Sequence, residues 1–229
     1  MKLVLFDVDG TLVNRFRVGE ESFPYAIKLV FGIDTNPPGW EFSGWTDRGI
    51  IFETLKRKGV TRELTEKRLP DIFRNMRNYA RMNINRDDDF RLLPNVKRLL
   101  EELDRNNVKI GLLTGNLEEV ARIKLKKFGV EHHFKAGGFG SYSEKRSELA
   151  PVAISQAEER FGVKFQKKDI FIIGDTPCDI EVGKANGLKT ISVCTGIFRK
   201  SELMRGNPDL ILEDFTDSDK FLKAVKFST

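Results

Sequence analysis

The sequence predicts an α/β fold, a parallel sheet with helices on both faces, interrupted after its first strand by an all-helical insert. Three observations predict it. Short apolar runs alternate with helical periodicities over most of the 229 residues, and such alternation implies right-handed crossovers between parallel strands. Three of the runs end in polar residues fit for chemistry: Asp7-Val8-Asp9-Gly10-Thr11, Thr114-Gly115-Asn116 and Gly174-Asp175-Thr176-Pro177-Cys178-Asp179. That edge is where open parallel sheets bind ligands. Residues 15–85, finally, hold helical patterns with no convincing strand.

Leu3-Val4-Leu5-Phe6 makes the first strand, over residues 2–6; a continuous apolar run is what a buried parallel strand requires. In the insert, helices are expected near 20–31, 47–58 and 63–82. Ile50, Ile51, Phe52 and Leu55 give the second an apolar stripe, and Leu69, Ile72, Phe73, Met76 and Tyr79 give one to the third. Such stripes pack the insert on itself. Asn36-Pro37-Pro38-Gly39-Trp40 is a breaker between helices. In Gly44-Trp45-Thr46-Asp47-Arg48 either Thr46 or Asp47 suits the N-cap of the following helix. Trp40, Phe42 and Trp45 suit either the core of the insert or the wall of a pocket. Beyond the insert, strands are expected at 108–113, 134–138, 169–173, 189–194 and 209–212, with helices near 94–106, 117–128, 147–161 and 178–186. Gly137-Gly138-Phe139-Gly140 is expected as a turn after the third strand; it is too irregular for a dinucleotide fingerprint.

The length suits one domain with an insert or two small domains, and 40% hydrophobic with 10% aromatic residues is enough to fill a core. The 39 basic and 34 acidic residues are interspersed and leave a net charge of +5. No basic stretch is interleaved with aromatics, so a nucleic-acid partner is not expected. Lys56-Arg57-Lys58 and Lys124-Leu125-Lys126-Lys127 are expected as solvated helix faces. Cys178 and Cys194 lie far apart and give no disulfide framework, which suits a reducing compartment. Cys178 is expected as a small buried residue, and the adjacent His132 and His133 have poor zinc-ligand spacing. No apolar run is long enough to span a bilayer, and Met1-Lys2 leads straight into a strand. The expected location is the cytoplasm, with no membrane partner.

Asp7 and Asp9 carry the sharpest signal. Residues two apart on an extended chain point the same way, which puts these carboxylates roughly 6–7 Å apart. Such a pair divides labour, one group attacking or holding a metal while the other moves protons; alone, it equally suits a solvated acidic turn. Asp175 and Asp179 add a second acidic cluster, Thr114 a hydroxyl, and Lys145-Arg146 a basic pair opening a helical stretch. The set suits Mg²⁺ and phosphate.

In this order, the four segments resemble the motifs of the haloacid dehalogenase superfamily of phosphohydrolases. The third is carried here by Arg146, with Lys145 beside it, where the superfamily usually has lysine. The resemblance implies a Rossmann-like core, residues 1–14 and 86–229, with an inserted helical cap, residues 15–85. It implies Mg²⁺-dependent hydrolysis of a small phosphomonoester through an aspartyl-phosphate, with Asp7 as nucleophile and Asp9 as general acid and base. Thr114, Gly115, Asn116 and Arg146 would bind the phosphoryl group. Mg²⁺ would lie on Asp7, the Asp9 carbonyl and Asp175, with Asp179 supporting it. Thr46 and Asp47 fall where related capped phosphatases carry a substrate loop. The chain crosses between core and insert twice, near 14–17 and 84–88, and opening and closing of the cap about these crossings is expected. The helical cap points first to phosphoglycolate; a phosphomutase acting on a sugar phosphate is the rival with the same core.

Overall fold

The computed structural model describes residues 1–227. Six strands form one parallel sheet: β1 (Leu3–Phe6), β2 (Lys109–Thr114), β3 (Gly137–Phe139), β4 (Ile170–Gly174), β5 (Lys189–Val193) and β6 (Leu210–Leu212), in the order β3-β2-β1-β4-β5-β6. The chain moves outward from β1 to β3, then returns past β1 to start β4. This reversal between β1 and β4 is a topological switch point, where the loops diverge and leave a crevice at the carboxyl ends. Phe6 pairs with Ile173, so Asp7 and Asp175 leave neighbouring strands almost level.

The nine α-helices among the described residues are α1 (Arg17–Phe31), α2 (Asp47–Arg57), α3 (Arg62–Asn83), α4 (Val96–Arg105), α5 (Glu118–Lys127), α6 (Leu149–Phe161), α7 (Pro177–Asn186), α8 (Lys200–Arg205) and α9 (Ser218–Phe227). The pleat divides β1 between two cores. Val4 and Phe6 pack with Leu99, Leu103, Leu125 and Phe221 on one face, and Leu3 and Leu5 with Leu149, Ala153 and Val182 on the other. With both faces covered, an unbroken apolar strand is satisfied.

The expected elements are present with small shifts. Gly137–Phe139 is itself the third strand, not the turn after it. Its glycines are there for close approach: a Cβ on Gly138 would overlap the Leu149 carbonyl, and one on Gly140 the Gly115 carbonyl. Helices α8 and α9 lie where the sequence reading placed none.

Helices α1–α3 sit outside the sheet with their own cluster, including Ile27, Ile51, Leu55, Leu69, Ile72 and Met76, which takes in Leu117 and Val120 beside β2. The helical insert therefore rests on the carboxyl edge of the sheet through α5. Its two connecting segments are tied together: Asn14 N–H donates to the Arg91 carbonyl at 3.1 Å, Arg91 N–H to Asn14 Oδ1 at 2.8 Å and Arg17 N–H to Asp87 Oδ2 at 2.9 Å. Among the described residues no helix is long and apolar enough to cross a membrane.

Candidate active site

Strand β1 ends by aiming Asp7 into the switch-point crevice, with Asp7 N–H donating to the Ile173 carbonyl at 2.9 Å. Arg146 Nη2 stands 3.0 Å from Asp7 Oδ1. That is an ion-pair contact without hydrogen-bond alignment, so Asp7 Oδ1 stays buried with no hydrogen-bond partner. Burial pushes the Asp7 carboxyl up to about 6; Arg146 opposes this, and the charges of Asp179 and Asp9 add to it. Asp175, leaving β4, accepts from Thr11 Oγ1 at 2.9 Å. It too is raised, first by burial and then by Asp7 and Asp179. Glycines make room around it: a Cβ on Gly10, which has φ +78°, or on Gly196 would overlap its carboxylate.

Asp179 is occupied at both oxygens. Oδ1 accepts from Arg146 Nη2 at 2.6 Å, while Oδ2 accepts from Thr176 N–H at 3.1 Å and Thr176 Oγ1 at 2.8 Å. The Thr176 N–H bond is one half of the capping box that starts α7; in the other half the Thr176 side chain accepts from the Asp179 N–H. Arg146 also donates to the Gly44 carbonyl at 3.1 Å. Burial works against its charge, yet Asp179 and Asp7 outweigh burial and hold the guanidinium firmly protonated. Of the basic pair, Arg146 is buried in the crevice, whereas the Lys145 side chain is 78% exposed and lies 4.0 Å from Glu148.

Asp9 turns to a different partner set. Its Oδ2 accepts from Lys124 Nζ at 2.5 Å and from Asn116 Nδ2 at 2.8 Å, and Lys124 also donates to Asn116 Oδ1 at 2.7 Å. Lys124 is thus no solvated residue; it is 2% exposed, while Lys126 and Lys127 do face solvent. The sequence held the signal, because Lys124 falls four residues after Val120 and one before Leu125, on the buried side of α5. Thr114, at the end of β2, is fully buried, and its hydroxyl oxygen accepts from Asn116 N–H at 3.3 Å and Asn116 Nδ2 at 2.9 Å.

Asp7, Asp175 and Asp179 present ligand oxygens within 4.8 Å of one another, all buried. The cluster fits a hard divalent cation: its donors are oxygens, one is orphaned, and two of its carboxylates are raised by burial and mutual repulsion that such a cation would relieve. The Asp9 side chain is outside this group.

A family model, described as haloacid dehalogenase-like hydrolase, matches residues 1–187. The chain belongs to the haloacid dehalogenase-like hydrolase family. Relatives include a phosphoglycolate phosphatase of Haemophilus influenzae, 26% identical over 219 residues covering 93% of this chain and 95% of that one. Pyrophosphatase PpaX of Oceanobacillus iheyensis is 23% identical over 219 residues, covering 95% and 94%. Among solved structures, CbbY from Rhodobacter sphaeroides, in complex with phosphate, aligns with a TM-score of 0.71 at 16% identity over 95% of this chain and 96% of that chain.

In this family member a strap from the insert closes over the crevice. Asp47 N–H donates to the Gly115 carbonyl at 2.7 Å, and Asp47 Oδ2 accepts from Leu117 N–H, at the start of α5, at 2.7 Å. Burial pushes Asp47 up to about 7, against the pull of the Leu117 N–H and of Lys124. Thr46 is the N-cap of α2: its Oγ1 accepts from Gly49 N–H at 3.0 Å and donates to the Glu144 carbonyl at 3.1 Å. Both functions of the hydroxyl are used, and Thr46 does not line the cavity, whereas Asp47 does. Expected as a pair facing substrate, the two divide into a cap residue and a wall residue.

Between strap and sheet lies a cavity of about 340 Å³, which Asp7, Asp9, Asp175, Arg146, Lys124 and Asn116 all line. Trp40, Phe42 and Trp45 line it as well, and Phe42 also belongs to the core of the insert, so both roles expected of these aromatics are realised. Cys178 is half-buried with its thiol pushed up by burial; it belongs to packing.

Proposed function

We propose that this hydrolase is a Mg²⁺-dependent phosphatase of small organic phosphomonoesters, working through an aspartyl-phosphate on Asp7. The observation that carries the reading is the division of the two leading carboxylates. Asp7 is buried with its Oδ1 3.0 Å from Arg146, while Asp9, in the same cavity, has its Oδ2 held by Lys124 and Asn116 and its Oδ1 unpartnered. The contrast supports reading Asp7 as the nucleophile and Asp9 as the proton carrier.

In the first step an Asp7 oxygen attacks phosphorus, the bond to the leaving oxygen breaks, and Asp9 gives that oxygen its proton. In the second, Asp9 takes a proton from water, the water oxygen attacks phosphorus, and the phosphorus–Asp7 bond breaks to release phosphate. Arg146 neutralises the phosphoryl charge and Thr114 donates its hydroxyl, with the Gly115 and Asn116 N–H groups at the entry to α5 as further donors. Asp7, Asp175 and the Asp9 main-chain carbonyl would hold the cation; when bound, it supplies positive charge against the phosphoryl oxygens. Asp179 supports the site by anchoring Arg146 and capping α7. Residues 15–85 serve as the cap, with Thr46 setting the strap and Asp47 lining the site. Relatives named phosphoglycolate phosphatase make phosphoglycolate the first ester to try, and two unpaired cysteines fit a cytoplasmic enzyme.

The test is phosphate release from a panel of phosphomonoesters, with and without Mg²⁺, for the wild type and Asp7→Asn. Mg²⁺-dependent release lost in Asp7→Asn is the expected result. Conversion of a sugar phosphate to its isomer without phosphate release would replace the phosphatase by a phosphomutase.

A further inference from the structure

Resting on that phosphatase reading of the same cavity, we propose that the substrate is a phosphomonoester whose alcohol carries a flat aromatic ring and no second anionic group. Size is the first ground. At about 340 Å³, the cavity falls in the range of about 300–1,000 Å³ that holds whole organic ligands.

The wall is the second ground. Away from the carboxylates the cavity is lined by Phe16, Phe23, Ile50 and Val120, all buried, and its mouth by Trp40 and Trp45. Trp45 stands edge-on to Phe42, with centroids 5.3 Å apart and planes at 88°. Trp40 is 74% exposed, and among the described residues no ring or cation packs on it. Large aromatic surface left uncovered at the rim of a cavity marks a place where a ligand completes the packing.

Charge is the third. The cations lining the cavity are Arg15, Lys124 and Arg146, and each has a carboxylate already. Arg15 donates to both oxygens of Glu20, Lys124 to Asp9, and Arg146 to Asp179 beside Asp7. Glu20 and Asp47 line the same space. A carboxylate on the leaving group would therefore have to take Arg15 from Glu20, an exposed pair, or displace a partner of Lys124 or Arg146 inside the cavity, or stay unpaired beside Glu20 and Asp47, and the last two select against it.

The experiment compares kcat/KM for 2-phenylethyl phosphate, propyl phosphate and phosphoglycolate, with acetyl phosphate reporting the core chemistry on a leaving group too small to reach the wall. The wild type is expected to favour 2-phenylethyl phosphate over the other two alkyl esters by about tenfold or more, the size of one ring-stacking contact. Trp40→Ala and Trp45→Ala should reduce that ratio while both variants still cleave acetyl phosphate. Equal rates on the three alkyl esters, a preference for phosphoglycolate, or a ring preference unchanged in both variants would overturn the substrate class and leave the phosphatase standing. Failure to cleave even acetyl phosphate would remove the phosphatase reading itself, and this inference with it.

Discussion

Lys124 is the residue whose environment departs furthest from its type. Its ammonium is buried against Asp9 and Asn116, so truncating it leaves the Asp9 carboxylate, whose side chain is 34% exposed, without its cation. Losing a charge-assisted hydrogen bond of this kind costs about 1.5–3 kcal/mol. Lys124→Met should therefore lower stability by that order in urea unfolding. It should also reduce kcat by at least about a hundredfold, the lower range for a misplaced acid–base group. Unchanged kcat would separate Lys124 from the chemistry. Asp47 offers a test with a definite sign. Its folded value of about 7 stands above the ordinary 3.8. Between those values the folded protein keeps a proton that the unfolded chain has released, so this group's contribution falls as pH rises through that window. Asp47→Asn keeps an acceptor for Leu117 N–H but does not titrate. Its melting temperature relative to wild type should climb from about pH 4 to about pH 7 and then level off; a constant offset would refute the assignment.

At the scale of elements, α5 joins everything. Its first turn receives Asp47, its apolar side enters the core of the insert through Leu117 and Val120, and Lys124 reaches Asp9. Leu117→Ala should cost about 2–5 kcal/mol, as other buried leucine truncations do, measured by urea unfolding; a change below about 1 kcal/mol would mean that the insert rests elsewhere. The sheet was largely legible in sequence because apolar runs ending in Asp7, Thr114 and Asp175 state both the strand and its edge. The close approaches were not: Gly138 and Gly140 looked like a turn, and only the packing of Leu149 and Gly115 against them shows why glycine stands there. Thr46 was legible as a cap and Asp47 as a residue near the site. That Lys124 is buried was written in its spacing on α5, yet hidden by the basic residues that follow it. Helices α8 and α9 went unread, α8 because six residues give little more than one turn of periodicity.

For the whole molecule, the insert and the sheet enclose a space whose floor is acidic. Carboxylates raised by burial and mutual repulsion are stabilised by a cation, and only their ionised forms bind it. Mg²⁺ should therefore raise the melting temperature at pH 7.5, and the gain should shrink as pH falls through about 6, where Asp7 takes up its proton. Asp175→Asn should abolish the gain at both pH values; a gain that persists in that variant would place the cation elsewhere.

The claim on which the rest depends is that Asp7 becomes phosphorylated. The direct measurement is acid quenching during turnover, borohydride reduction of the trapped acyl phosphate, and peptide mass spectrometry to locate the reduced residue. The geometry predicts conversion of Asp7 alone, to homoserine, with none in Asp7→Asn. Modification of Asp9 or Asp175 instead, or steady phosphate release with no trapped residue, would contradict it.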